Sequence, residues 1–598
     1  MSAATSSANP QFTKFVEQGN PVGEVVGVNQ FIVHVKGLNP ANAHAMVIFE
    51  DGSKGFINHI YDDHVLVLHQ GTEKLRVGTI AVIESDKLVT RVGKSLIGRV
   101  VNAMGEPLDG KGPIPTEDVW PIFNPAPPIF ERELLDLQLE TGVIAVDGLF
   151  PIVRGQRLAI LGDNKSGKTT LATQITLNQK NTDIVTVYVL IGKRRSDIDE
   201  LLTRLNETDS LKNTIVVVST LFESLIMTYL APYIGCAMAE YLWQACDQET
   251  MVIYDDLTSH AQAYREVALL SNVSPGRDSY PGDMFYAHSS LLERAGKLKR
   301  NNKTLTCLPI VLTPNNDITA YLPTNIMSIT DGQWIMDMEV FLAGHRPALS
   351  TGLSVTRVGG VGQNKRQKSH TVGTLKALAT YRQAEEYAHF GSELALSAHK
   401  DLARGKTIYE VFSQPPTQTW NFMEQQLMLD ITLNTDDTAL LDVKKMKEHV
   451  REIASQIKED SQFDGAKEQL IKLSAVSDKP AAAPAGPQEL SKPPEVPPNA
   501  PTPPAPEPPA SSSSTKVAPY EPPARPPSPQ TTIEPTVPAA PQELPEPQPA
   551  VNPVPTTTAT EEPVSSSQFS QPQGGVYIQP IHVDKHGNVT KVEPKDNK

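Results

Sequence analysis

The chain has 598 residues, with 53 Lys and Arg against 68 Asp and Glu, a net charge of −15. That acidic balance argues against a primary nucleic-acid binder, because phosphate affinity rests on clustered Lys and Arg. The 51 prolines fall unevenly, 20 in residues 1–479 and 31 in the last 119, so a globular body of roughly 480 residues precedes a tail of another kind.

Residues 1–21 form a short N-terminal segment. Its start, MSAATSSANPQFTKF, has no apolar h-region and no Arg, so neither a signal peptide nor a transit peptide is expected. Within it Pro10–Gly19 carries a small apolar face of Phe12, Phe15 and Val16. Residues 22–94 then read as short Val- and Ile-rich strands: Glu24–Val28, Phe31–Val35, His44–Phe49, Gly55–Ile57, His64–Val67 and Val77–Ile83. Gly37 and Asp51-Gly52 mark turns, and such even spacing suggests a small β-barrel.

From 95 to 370 the period changes. Apolar runs at Leu158–Leu161, Ile184–Ile191, Thr214–Ser219, Met251–Tyr254, Thr304–Leu312 and Ile326–Ile329 alternate with helical stretches, among them a long amphipathic helix expected over Leu221–Gln244. Continuous rather than alternating apolar strands indicate a parallel sheet covered on both faces, a doubly wound α/β domain. Cys236, Cys246 and Cys307 have no metal-ligand spacing and cannot all pair; they read as small buried apolar residues of a protein kept in a reducing compartment. The sequence has no run of 18 apolar residues, so a membrane role is expected to come only through partners.

Residues 371–475 hold helical segments at Gly373–Phe390, Ser392–Arg404, Trp420–Ile431 and Thr438–Leu473, with Gly391, Gly405 and Pro415-Pro416 as breaks, a small helical bundle. Residues 476–573 are mainly Pro, Ala, Ser, Thr, Glu and Gln and cannot bury enough apolar surface to offset their ordering entropy, so a disordered, polyproline-leaning linker is expected. In 574–598 two apolar-alternating runs flank His586-Gly587-Asn588, which reads as a hairpin. It would either dock on a partner as an added strand or hairpin, or serve with the tail only as a solubilising extension.

The chemistry is concentrated in Gly162-Asp163-Asn164-Lys165-Ser166-Gly167-Lys168-Thr169, with Thr170 following. This G-x4-G-K-[ST] run lies between an apolar strand and a helix, where backbone N–H groups cradle phosphates and the helix N-terminus adds positive potential. Lys168 is expected to reach the β/γ-phosphates and Thr169 to bind Mg²⁺. Met251-Val252-Ile253-Tyr254-Asp255-Asp256 is an apolar strand ending in acid, which makes Asp255 the second Mg²⁺ residue. Hydrolysis also needs a group that orients water, usually a carboxylate ending the strand beside the phosphate-loop strand. That strand is read as Val185–Ile191, and it ends in Gly192-Lys193-Arg194-Arg195 with no acid. Nucleotide binding with little or no turnover follows.

These motifs, together with Gly98–Gly105, Glu140-Thr141-Gly142, Arg154–Arg157, Pro275–Asp283 and Gly352–Gly359, resemble the non-catalytic α subunit of the F-type ATP synthase over most of residues 22–415. The resemblance implies a multidomain α/β fold: a six-stranded barrel, a RecA-like phosphate-loop core, a C-terminal helical bundle, and here a disordered Pro-rich tail. It implies ATP or ADP with Mg²⁺ as ligands and a catalytic β-type partner in an alternating hexamer around a central γ-type shaft. A peripheral-stalk or other subunit would be reached through the N-terminus or residues 574–598. Nucleic acid is not implied, and the membrane is met only through the complex, at its cytoplasmic face in the bacterial manner. By position Arg357 matches the arginine inserted into the neighbour's catalytic site, Ser354 a serine of the same interface loop, and Arg346 and Gln414 residues near the adenine pocket. The chain departs from the family at Asn164-Lys165, where the α subunit usually has Arg-Gln, and at Lys193, where it usually has Gln. Lys165 either faces phosphate or points to solvent. A self-sufficient ring ATPase, or a scaffold that kept the fold, is the alternative.

Overall fold

The structure, a computed structural model, describes residues 9–71, 75–389, 396–435, 438, 441–475, 582–583 and 589–590. The chain divides into two units, Met1–Gln488 and Glu489–Lys598.

In the first unit, helix α1 (Pro10–Glu17) begins behind Asn9, whose side chain accepts from Gln11 N at 2.8 Å. Pro10 suits the first helical position, where an N–H would be unpaired anyway. The apolar face of α1 is covered by its own chain: Phe12 is buried against Ile48 and Val82, with Phe15 beside them. Strands β1 (Val22–Asn29), β2 (Ile32–Lys36), β3 (Met46–Phe49), β4 (Lys54–Ile60), β5 (Val65–His69) and β6 (Ile80–Ser85) close into a barrel of order β1-β2-β5-β4-β3-β6. All six expected strands are present, and closure leaves none of them as an open edge.

Next come β7 (Val89–Val92), β8 (Val100–Asn102) and β9 (Asp118–Pro121). β7 and β9 pair as an antiparallel ribbon, and β8 joins the edge of the core sheet. The core then runs α2 (Ile144–Leu149), β10 (Ala159–Gly162), α3 (Lys168–Asn178), β11 (Ile184–Lys193), α4 (Arg195–Glu207), β12 (Thr214–Thr220), α5 (Leu225–Gln244), β13 (Glu249–Asp255) and α6 (Leu257–Leu270). It continues through α7 (Met284–Leu292), β14 (Gly296–Lys297), β15 (Thr304–Leu312), α8 (Tyr321–Ile329), β16 (Gly332–Met336), α9 (Met338–Leu342) and β17 (Val355–Thr356). The sheet order is β17-β16-β10-β15-β13-β11-β12-β8, with β14 beside β15. Only β17 on β16 and β14 on β15 are antiparallel.

Three expectations are corrected here. The strand beside the phosphate-loop strand β10 is not β11: β15 and β13 lie between them. The order of a doubly wound sheet is set by crossovers that a linear reading does not reveal. The helix expected to be amphipathic is buried on every side from Ile226 to Trp243, because it packs against β11, β13 and α6. By length and composition α5 could cross a membrane, but 89% of that window is buried inside the protein, which makes it a core helix. Ile326–Ile329 is the last turn of α8, and the strand follows at Gly332–Met336.

The helical region holds α10 (Lys365–His389), α11 (Leu396–Phe412), α12 (Phe422–Asn434), α13 (Val443–Ser455) and α14 (Phe463–Ser474). It begins at Lys365, and the segment read as one helix over Thr438–Leu473 is two. α12 starts with a capping box: Asn421 Oδ1 accepts from Glu424 N and Glu424 Oε2 from Asn421 N, both at 2.9 Å. Gly405 breaks nothing. α11 runs through it, and a Cβ there would lie 2.1 Å from Tyr381 Cδ2, so the glycine permits close packing on α10. Gly391 and the Pro-rich segment 476–573 lie outside the described residues. In the second unit β18 (His582–Val583) pairs antiparallel with β19 (Val589–Thr590), His582 opposite Thr590.

Candidate nucleotide site

β10 ends at Gly162 and α3 begins at Lys168, so residues 163–167 form a tight loop at the sheet's C-terminal edge. A Cβ at Gly162 would sit 2.6 Å from both Met336 O and Ser166 Oγ, so no side chain fits. Gly167 (φ +98°) and Lys165 (φ 61°) take left-handed backbone on either side of Ser166. Ser166 N and Asn164 N turn back onto Asp163, and the N–H groups of the first turn of α3 are left to meet an anion. Ser166 is buried, and its Oγ has no hydrogen-bond partner among the described residues. Lys168 Nζ donates to Asp163 O at 2.7 Å. Burial lowers its ammonium to about 8, against the pull of Asp256 and Asp255. Backbone N–H groups, hydroxyl and ammonium together fit a phosphate chain.

Two cavities flank the loop, and Thr170 borders both. The phosphate side, about 820 Å³, is lined by Asn164, Lys165, Lys168, Thr169, Lys193 and Asp255 among others. The exposed Lys165 therefore stands on the wall of this cleft. The other side, about 430 Å³, is bordered by Met336, Phe341, Arg346, Pro347, Gln414 and Pro415. This is the size and apolar character of a pocket for a base.

Arg346 and Gln414 reach that pocket, with Nη1 of Arg346 and the whole Gln414 amide engaged elsewhere. The Arg346 guanidinium lies 3.5 Å from the Phe341 ring centroid and donates to Phe341 O at 2.6 Å and His345 O at 2.8 Å. The buried Gln414 amide donates to Gly142 O at 2.8 Å and to Gln418 O, and its oxygen accepts from Ile144 N at 3.3 Å. Both residues shape the pocket wall. Phe341, which sequence reading missed, supplies its aromatic face; nothing in the local pattern around it marks that role.

At the phosphate end, Thr169 and Asp255 have the oxygen chemistry that Mg²⁺ takes. Among the described residues no group of three or more His, Cys, Asp or Glu could hold a metal, so an ion here would depend on the nucleotide's own oxygens. Asp255 is also engaged within the chain. Lys193 Nζ lies 2.7 Å from its Oδ1 and 2.9 Å from Asp256 Oδ2. The Tyr188 hydroxyl donates to Asp255 Oδ2 at 3.0 Å, and Ser259 N to Asp256 Oδ1 at 2.7 Å, which caps α6. Burial opposes the charge on Lys193, but the two carboxylates outweigh it and raise its ammonium above the ordinary value.

Arg357 stands away from this cleft. It is exposed, its backbone N donates to Asp331 O, and Nη1 donates to Thr330 O at 3.2 Å. Gly162 is level with Met336 on neighbouring β16, so Arg357 lies five strand residues, about 16 Å, from its own phosphate loop. Ser354 is buried and accepts from Ile335 N at 2.9 Å. It pins the loop before Arg357 onto β16.

Comparison with known proteins agrees with this geometry. Residues 142–356 match the model of the ATP synthase alpha/beta family, nucleotide-binding domain, and residues 363–481 that of the ATP synthase alpha/beta chain, C terminal domain. ATP synthase subunit alpha of Nitrosomonas europaea is 40% identical over 450 residues, 72% of this chain and 87% of that protein. The chain belongs to the ATP synthase α-subunit family. The α subunit of Clostridium botulinum is 40% identical over 473 residues, 76% of this chain and 93% of that relative. That of Caldanaerobacter subterraneus is 41% identical over 425 residues, 70% and 83%. The family models account for most of the core and the helical region and stop at residue 481.

Proposed function

We infer that this chain is the non-catalytic, nucleotide-binding subunit of a rotary F-type ATP synthase or ATPase, peripheral to the membrane, and that it supplies Arg357 to the catalytic site of a neighbouring β-type subunit around a γ-type shaft. The observation that carries the non-catalytic reading is Lys193. A general base must accept a proton from water, and a charged ammonium bound between two aspartates has no lone pair to do so. The nearest acids are no substitute. Asp255 and Asp256 are the partners of Lys193, and Glu200 on the cleft rim is paired with Arg204 at 2.6 Å.

The placement of Arg357 supports action in trans. It projects from a pinned loop on the outer strand of the sheet, too far along β16 to meet phosphates in its own cleft. Within that cleft, Gly162–Gly167, Lys168 and Thr170 would hold ATP or ADP, and the Thr169 hydroxyl has the chemistry to meet Mg²⁺, while Asp255, the other expected Mg²⁺ residue, is held by Lys193. An arginine so delivered stabilises the charge spread over a transferring phosphoryl group and is worth about 10³–10⁵ in rate. In the complex reassembled with its β-type partner, Arg357→Ala is expected to leave assembly and nucleotide binding by this chain intact while lowering turnover by about 10³. Unchanged turnover would remove the assignment.

A further inference from the structure

We propose that Lys193 stands in for a divalent cation beside Asp255, so that this chain's own site binds nucleotide with little dependence on Mg²⁺. The proposal rests on the nucleotide-binding reading above and concerns what neutralises the acids at the phosphate end.

Three of the four oxygens of Asp255 and Asp256 accept hydrogen bonds, from Tyr188 Oη, Ser259 N and Lys193 Nζ; the fourth, buried Asp255 Oδ1, meets Lys193 Nζ at 2.7 Å as an ion pair. The carboxylate of Asp255 is 1% exposed and the side chain of Lys193 16%. In such a setting an ion pair is poorly screened, and removing its cation would leave a buried charge uncompensated. A metal ion reaching Asp255 would have to displace the lysine or share the carboxylate with it, and the two positive charges would repel.

The backbone holds Lys193 there. The register of β11 against β12 slips between Leu190 and Lys193, and Gly192 between them has φ +60°. An irregularity of this kind re-aims the following side chain, here toward the end of β13, which is directly paired with β11. The charge balance agrees. Lys193 is paired with both Asp255 and Asp256 and Arg204 with Glu200, while Lys165, Lys168 and Arg194 on the same cleft remain for the phosphates.

The test is equilibrium binding of ATP to the full chain by calorimetry, with Mg²⁺ present and then with the metal removed by EDTA. The two affinities should agree within about threefold. In Lys193→Gln, and in Lys193→Met should the first variant fold poorly, Asp255 is released and Mg²⁺ should strengthen binding about tenfold or more. Mn²⁺ titration followed by electron paramagnetic resonance should find the ion bound with nucleotide in the variants and nearly absent in the natural chain. A natural chain that loses about tenfold in EDTA and binds one Mn²⁺ per nucleotide would overturn the proposal. So would variants as indifferent to metal as the natural chain, because the indifference would then not come from Lys193. A natural chain that binds no ATP under either condition would instead overturn the nucleotide-binding reading itself.

Discussion

The two sides of the phosphate loop solve recognition differently. On one side charges line a partly buried cleft, the acids Asp255 and Asp256 paired with Lys193 and Glu200 with Arg204. On the other side Arg346 Nη1 and the Gln414 amide are bound to backbone carbonyls and an amide, and a ring, three prolines and aliphatic stems stand among the lining. The phosphate side reads charge and the base side reads shape. The contrast teaches that a polar residue lining a pocket need not touch what the pocket holds.

The sharpest way to break this contrast is Lys168→Ala. It should weaken ATP binding about a hundredfold, roughly 3 kcal/mol for a lost charge-assisted contact, and leave binding of adenosine nearly unchanged. A calorimetric series of ATP, ADP and adenosine reads the gradient; equal losses for all three would dissolve the distinction. Next in size is Asp147→Asn, in the frame behind the base side. Asp147 is buried and accepts from Thr141 Oγ1 at 2.8 Å, Thr141 N at 3.2 Å, Gly142 N at 3.1 Å and Gln425 Nε2 at 2.8 Å. Burial raises its carboxyl to about 7, yet all four neighbours donate, and an amide NH₂ turned toward them would lose bonds and clash. About 2 kcal/mol of stability should be lost at pH 8, visible in a denaturant midpoint, with nucleotide affinity falling less. The smallest effect is expected for Arg346→Ala. Losing the guanidinium over Phe341 should cost about 1 kcal/mol, roughly fivefold, and the factor should be the same for ATP, ADP and adenosine. A factor that grows with phosphate number would place Arg346 on the charge side instead.

Legibility in the sequence followed the locality of each signal. The barrel strands were readable because Val and Ile runs and turn residues act over a few positions. The phosphate loop was readable because spacing alone imposes its geometry. Ile326–Ile329 was misread because a four-residue apolar run looks the same in a strand and in the last turn of a buried helix. The periodicity expected of α5 failed because a helix packed on every side has no polar face to show. Strand order is not a local signal, so the lack of an acid at Lys193 is legible while its place in the sheet, separated from β10 by two strands, is not. Its contact with both aspartates exists only after β11 is laid against β13.

β16 has a mechanical consequence. At one end the Met336 carbonyl underlies Gly162 and the phosphate loop; at the other, the turn at Thr330-Asp331 holds Arg357; between them Ser354 is bolted to Ile335. Five residues of hydrogen-bonded strand have no hinge to absorb displacement. The strand is a strut, and a shift of the phosphate loop at one end reaches the arginine at the other as movement of a single solid piece.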